Sequence, residues 1–346
     1  MPAELLGKSR EELRAYCESL GEPGYRGAQI YHALYAGRNF DFTQMTDLPL
    51  KLRARLASEA RISLPQVARR FTSADGAVRY LFAAAGEARP ASVEAVFMPS
   101  EDRQTICIST QAGCAVNCGF CLTARLGLIR NLSAGEILAQ VLLPLEEHKE
   151  RLAPQTNVVL MGQGEPLLNY DAMMAAVRIL LDAEAVGLAA KHVTLSTSGI
   201  VPGIEWLAAE AVRPKLAISL NASSDEQRDA LMPINRKYPL AKLIEACRRY
   251  PLRAWERLTF EYVLLGGVND APEDARRVAR LIANLRAKVN LIPWNPGRAT
   301  LSRAGGGAGG RVPARSCGER LARVCAHVAG ARRDGSVRAV GVDGSQ

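Results

Sequence analysis

No stretch of this 346-residue chain approaches the roughly 18 uninterrupted apolar residues that a membrane-spanning helix needs, so a helical membrane protein is excluded. No apolar segment ahead of a small-residue cleavage site appears in Met1–Arg14, which is mixed and charged, so no secretory leader is expected and the cytoplasm is the expected compartment. The histidines, His32, His148, His192 and His327, have no metal-ligand spacing and are assigned no chemistry. A chain with 48% apolar and 23% charged residues is neither disordered nor collagen-like.

Acidic residues are outnumbered, 35 against 44 Lys and Arg, which gives a net charge of +9. A basic excess fits a polyanionic partner such as nucleic acid. The Arg- and Ala-rich usage of GC-rich coding sequence produces the same excess with no partner at all.

Eight cysteines are too few for a disulfide scaffold of this length. Four of them, Cys107, Cys114, Cys118 and Cys121, fall within fifteen residues, and that cluster demands a chemical explanation.

The head of the chain reads as helical. Ser9–Glu12 has the form of a capping box, Ile30, Leu34 and Tyr35 recur at helical spacing, and Leu52 and Leu56 follow Pro49. Two β-like runs, Val78–Ala83 and Ser92–Met98, suggest a hairpin joining this head to the rest. The boundaries expected are a helical accessory domain over 1–90, a linking hairpin to about 103, and a core over 104–346.

From residue 104 the pattern alternates strand, polar loop and helix, with strands expected at Thr105–Thr110, Asn157–Met161, His192–Ser196, Lys215–Leu220, Leu258–Leu265 and Val289–Ile292. Ser133–Glu136 is a second capping box, opening an apolar helix. Polar and glycine-rich residues gather just after the strands, where α/β barrels carry their active sites. The fold class is therefore α/β, a partial (β/α)6 barrel. Near the end lie a glycine-rich stretch, Gly305–Gly310, and a last expected helix through Leu321, Val324, Cys325 and Val328.

Gly113–Cys121 reads C-x3-C-x2-C. Three thiolates on one short loop suit three corners of a cubane iron–sulfur cluster, leaving the fourth iron open. A structural zinc site lacks a second cysteine pair or a nearby histidine, and a redox dithiol of Cys118 and Cys121 leaves Cys114 unexplained. A second motif, Met161-Gly-Gln-Gly164-Glu165-Pro166, follows a strand; alone it is no more than a tight turn. Trp294 suits stacking on a base or, more simply, packing.

Together these motifs resemble the radical S-adenosylmethionine superfamily and, within it, the RlmN/Cfr family of RNA adenosine methyltransferases. The head motifs Gly24-Tyr-Arg-Gly-Ala-Gln-Ile-Tyr and Phe42-Thr-Gln-Met-Thr-Asp-Leu are similar to that family's N-terminal domain. Val93–Pro99, Val193–Gly199, Ser219-Leu-Asn221 and Ile292–Pro296 are similar to its core motifs.

The resemblance implies a 4Fe–4S cluster on Cys114, Cys118 and Cys121, with S-adenosylmethionine held by Gly164, Glu165, Ser196, Ser219, Leu220, Asn221 and Asn295. It implies reductive cleavage of that cofactor to a 5′-deoxyadenosyl radical and methyl transfer through a methylated cysteine, Cys317. Cys107 would resolve the protein–RNA adduct by a disulfide with Cys317, and Glu94 would accept a proton. The partners implied are ribosomal or transfer RNA and an electron donor such as a flavodoxin-like protein. Arg315–Leu321 resembles the family's carrier run with one residue extra, but the segment ahead of it is shortened and glycine-rich. Two other readings follow from that tail: a radical reaction on a non-RNA substrate with the carrier lost, or a non-catalytic RNA-binding relative.

Overall fold

The computed structural model describes residues 2–84 and 91–294. Asn295, Cys317, the Gly305–Gly310 stretch and the expected terminal helix lie outside the described residues. Contacts divide the chain into two compact units. The first holds Met1–Ala115, Leu126–Leu195 and Glu210–Lys215; the second holds Val116–Arg125, Ser196–Ala209 and the described residues from Leu216.

In the first unit, β1 (Ala3–Glu4) pairs in parallel with β2 (Ala60–Arg61) around the helices α1 (Arg10–Ser19), α2 (Tyr25–Tyr35) and α3 (Leu50–Glu59). The capping box opening α1 is formed: Glu12 N–H donates to Ser9 Oγ, and Ser9 N–H donates to the Glu12 carboxylate at 2.7 Å. Leu13, Cys17, Ile30, Leu34, Tyr35, Leu52 and Leu56 are buried, as helical spacing requires of residues that share a face.

The helical head ends at Glu59, earlier than expected. Beyond it come β3 (Gln66–Thr72), β4 (Val78–Ala84) and β5 (Ala91–Pro99), an antiparallel meander. The expected hairpin is β4–β5, while β3 escaped sequence reading because nearly all of it is exposed and no apolar alternation marks it. β5 then pairs antiparallel with β6 (Arg103–Cys107), the first core strand, so the accessory strands and the core share one sheet within this unit.

A small hairpin, β7 (Gln111–Gly113) with β8 (Leu128–Asn131), brackets the cysteine loop. The helix α4 (Ala134–Glu147) follows its expected capping box and leads to β9 (Gln155–Leu160), α5 (Tyr170–Leu181) and β10 (Val193–Thr197). Strand order in this unit is β10-β9-β6-β5-β4-β3, with β6, β9 and β10 parallel. Crossing helices between parallel neighbours are what the strand–helix alternation demanded.

In the second unit, α6 (Val201–Ala209) precedes β11 (Lys215–Ser219), followed by α7 (Asp225–Leu231), α8 (Leu240–Arg249), β12 (Leu258–Leu264), α9 (Pro272–Ile282) and β13 (Ala287–Pro293). β11, β12 and β13 are parallel, in register from Ala217↔Thr259 and Leu258↔Ala287. Among the described residues no helix is long and apolar enough to cross a membrane.

The head is fastened to the first core helices by side chains and by close main-chain approach. Tyr31 donates to Asp182 at 2.8 Å, Arg38 meets Glu146 at 3.1 Å, and Arg10 pairs with Glu184. A Cβ added at Gly135, in the first turn of α4, would sit 2.5 Å from the Leu6 carbonyl oxygen. Replacing a helix glycine by alanine ordinarily stabilises by about 1 kcal/mol. For Gly135→Ala the sign reverses: overpacking against main chain costs about 1–3 kcal/mol, and thermal melting will show a lower Tm. A raised Tm would mean that the head does not press on α4 as described.

Candidate functional site

Each unit holds most of its candidate site residues at or just beyond the carboxyl ends of its strands, Glu94 lying within β5. In the first unit the ends of β6 and β9 are joined by polar side chains. Ser109, fully buried, donates its hydroxyl to the Glu94 carbonyl at 2.7 Å and accepts from Gln163 N–H at 2.8 Å. Its own main chain is held by Gln140 of α4, which accepts from Ser109 N–H and donates to its carbonyl, both at 2.9 Å. Thr110 N–H donates to the Gln163 carbonyl at 2.9 Å, and Asn169 donates to the carbonyls of Thr110 and Leu132, each at 2.8 Å.

This frame fixes the Gly-x-Gly-Glu turn. Gly164 takes φ +100°, and a Cβ there would lie 2.6 Å from the Gln111 Cβ. Glycine is therefore demanded by Gln111 itself, whereas the sequence suggested only the approach of a ligand. Glu165 is buried; its N–H donates to Gln111 Oε1 at 2.9 Å, and its carboxylate accepts from Leu167 N–H at 3.1 Å.

Cys107 ends β6 opposite Val159 of β9 and Val96 of β5. Burial pushes its thiol up to about 11, partly opposed by a hydrogen bond from the Met161 main chain, so it is protonated at neutral pH. Glu94, two residues before Val96 and hence on the same sheet face as Cys107, is half-buried and pairs with Arg79 at 3.0 Å.

The cysteine loop is tied at several points. Gly113 has φ +75°, Cys114 N–H donates to the Gly127 carbonyl at 2.9 Å, and Cys114 belongs to the first unit. In the second unit Cys121 N–H donates to the Cys118 carbonyl at 3.1 Å, and Gly119 N–H to the carbonyl of Leu231, the last residue of α7, at 2.9 Å. Trp294 donates its indole N–H to the Phe120 carbonyl at 3.4 Å, which gives it a packing role against this loop. Cys114, Cys118 and Cys121 form no disulfide and are of intermediate exposure. Among the described residues no three His, Cys, Asp or Glu side chains converge as ligands of a single metal ion.

The second unit arranges the loops after β10 and β11 around one side chain. Arg228 of α7 is fully buried and donates to four acceptors: Ser198 O at 2.6 Å, Ser219 O at 3.2 Å, Leu220 O at 3.1 Å and Asn235 Oδ1 at 3.0 Å. Burial lowers its pKa to about 10, so it remains charged at neutral pH. Asn235 is oriented in turn by donating to Asp225 at 2.9 Å and Asp229 at 2.8 Å. Ser196 and Ser219 bring their hydroxyls to 3.4 Å.

Asn221 is buried with φ +55°, a left-handed conformation that Asn tolerates better than most residues. Its Oδ1 accepts from Val263 N–H at 2.9 Å, and Asn269 donates to its carbonyl at 2.8 Å. The Asn221 side chain is thus engaged within the protein, and what it fixes is the backbone of the Ser219–Asn221 turn. Arg228, Gln111, Ser109, Asn169 and Asn269 were not anticipated. Arg228 sits in Asp225-Glu-Gln-Arg-Asp229, which reads as an ordinary solvated helix and gives no signal of burial.

The comparisons with known proteins agree with this architecture. The family model for the radical SAM superfamily matches residues 108–281, and that for the ribosomal RNA large subunit methyltransferase N-terminal domain matches residues 3–62. A probable dual-specificity RNA methyltransferase RlmN from Koribacter versatilis (strain Ellin345) is 52% identical over 297 residues, 81% of this chain and 84% of the relative. The dual-specificity RNA methyltransferase RlmN from Anaeromyxobacter dehalogenans (strain 2CP-C) is 47% identical, over 84% of this chain and 79% of its own length. The crystal structure of a radical SAM methyltransferase from Sphaerobacter thermophilus superimposes with a TM-score of 0.84 at 40% identity, covering 98% of this chain and 95% of the other. The fold class expected from the sequence, a partial (β/α)6 barrel of the radical SAM type with an N-terminal helical region, is the class of that structure. The chain belongs to the radical S-adenosylmethionine superfamily and, within it, to the RlmN family of methyltransferases.

Proposed function

We propose that the protein methylates an adenosine base of RNA with S-adenosylmethionine as methyl donor, in keeping with the dual-specificity RNA methyltransferases it is similar to. The observation that carries this reading is the cysteine loop: three part-exposed cysteines outside any disulfide, in C-x3-C-x2-C spacing, on a backbone tied by Gly127 and Leu231. That donor set fits three irons of a 4Fe–4S cluster. Bound there, the cluster would supply the electron for reductive cleavage of S-adenosylmethionine.

The chain's own residues do the positioning. Cys114, Cys118 and Cys121 would hold the cluster. Gly164 and Glu165 would hold the amino group of the cofactor, on a turn fixed by Gln111. Ser196, Ser219, Leu220 and Asn221 would line the rest, on turns fixed by Arg228, and Asn295 completes the set. Because side chains of the protein hold main-chain groups at Gln163, Glu165, Ser198, Ser219 and Leu220, these turns are partly preorganised for a ligand. Cys317 is the proposed methyl carrier, Cys107 its disulfide partner once methyl transfer is complete, and Glu94 the proton acceptor. Cys107, protonated at rest, does not compete as a thiolate until deprotonated. A flavodoxin-like electron donor and a cytoplasmic location complete the reading.

Two outcomes are expected. Cys118→Ala will lose cluster iron after anaerobic reconstitution, falling well below the roughly four irons per chain of a full cubane; unchanged iron content and visible absorbance would refute the ligand assignment. With labelled methyl groups on S-adenosylmethionine, reductant and ribosomal or transfer RNA, label will appear in adenosine, and Cys317→Ala will abolish it. Formation of 5′-deoxyadenosine with unlabelled RNA would instead assign the radical chemistry to another substrate.

A further inference from the structure

The meander β3–β4–β5 has two unlike faces. On one, Tyr80, Phe82, Val93, Ala95 and Phe97 are buried. The end of α4 covers this side: Phe97 stacks on His148 at 4.3 Å, Tyr80 OH meets His148 Nε2 at 2.8 Å, and Arg70 makes a two-oxygen ion pair with Glu147 at 2.9–3.1 Å.

Residues of the other face follow from register. Leu81 stands opposite Arg69 and Glu94, and Arg79 opposite Phe71 and Val96. Val96 stands opposite Cys107, and Met98 opposite Thr105. Side chains paired across a ladder share a face, so Arg69, Phe71, Arg79, Glu94 and Cys107 lie on one side of one continuous sheet. A bulge between Val67 and Arg69 makes this possible: Val67 pairs with buried Phe82, and the extra residue turns Arg69 to the opposite side.

Among the described residues this face is chemically mixed and exposed along β3 and the outer part of β4. Phe71 is 42% exposed, Met98 is 36% exposed, and Arg69 and Arg79 are exposed. The Arg79 guanidinium lies 4.5 Å from the Phe71 ring centroid while also pairing with Glu94. An aromatic ring with guanidinium groups, on a sheet face that no described element covers, suits unstacked bases and phosphates. The same side of the sheet carries the half-buried Glu94 and Cys107.

We infer that the open face of β3–β5, with Phe71 as stacking platform and Arg69 and Arg79 as phosphate contacts, docks the RNA strand that delivers the target adenosine. This rests on the methyltransferase reading, and it assigns the strand's path to a part of the chain outside the helical head. Charge complementarity favours RNA over an apolar partner: Glu94 is the only carboxylate among the face residues named here, against two guanidinium groups.

The test is fluorescence anisotropy of a labelled RNA stem-loop with an unpaired loop adenosine, bound to the full chain. Phe71→Ala will weaken binding about tenfold, the loss of one stacking contact. Arg69→Gln will weaken it and reduce the slope of log affinity against log salt by about 1. Arg70→Gln, one residue along and also exposed but opposite Tyr80 on the α4 side of the sheet, will leave affinity within about twofold. Equal losses for Arg69→Gln and Arg70→Gln would overturn the inference, because binding would then follow charge and not face. So would wild-type affinity in Phe71→Ala and Arg69→Gln, or a dimer-to-monomer shift in sedimentation with RNA affinity unchanged, which would give the face to a second copy of the chain. If the wild-type chain binds and methylates RNA while the variants match it, only the docking face is wrong. If the wild-type chain does neither, the methyltransferase reading fails as well.

Discussion

A single buried guanidinium organises the second unit. Arg228 has no solvent to share its charge, and its donors reach three main-chain carbonyls and one amide oxygen. Desolvating such a group is costly, and the cost is offset only if every donor finds a well-placed acceptor. The carbonyls it uses belong to Ser198, Ser219 and Leu220, in the turns that follow β10 and β11. Those turns cannot drift without stranding the charge. The same helix ends at Leu231, whose carbonyl receives Gly119 of the cysteine loop, so α7 supports both the proposed cluster loop and the proposed cofactor loops.

Neutral groups solve the matching problem in the first unit. Ser109, Gln111, Gln140 and Asn169 are all buried, and each bonds main-chain groups near the ends of β6 and β9, Gln111 also donating to Asn131 Oδ1. Such bonds rigidify a site to the extent that its polar groups are paired, and in this frame Thr110 Oγ1 and Gln163 Oε1 are buried without a partner. Strand ends rich in polar residues ordinarily leave backbone groups to water; here protein side chains take them, and the Gly162–Pro166 turn is held in one conformation. Both units therefore prepare the loops in advance, by charge in one and by amides and hydroxyls in the other.

Much of this was legible in the sequence. Both capping boxes, the core strands and the spacing of Cys114, Cys118 and Cys121 are local patterns, and local patterns survive into structure because they rest on neighbouring backbone groups. The exposed strand β3 was not legible, since Arg69, Arg70 and Phe71 alternate between faces without an apolar signal. Gly164 was identified for a partly different reason, because nothing in a linear sequence tells that Gln111 will stand against it. Arg228 was invisible: between Gln227 and Asp229 it looks solvated, and only the return of two strand ends onto α7 buries it.

The account stands most directly on Arg228. Arg228→Lys keeps a positive charge but offers one ammonium where a planar fork spans four acceptors. S-adenosylmethionine binding to the anaerobic, cluster-loaded variant, followed by equilibrium dialysis beside a thermal melt, separates positioning from folding. The account predicts a chain that is still folded at the assay temperature and binds S-adenosylmethionine at least about tenfold more weakly, a loss of about 1.4 kcal/mol. Wild-type affinity in that folded variant would contradict it, because the loops after β10 and β11 would then hold the cofactor without the guanidinium.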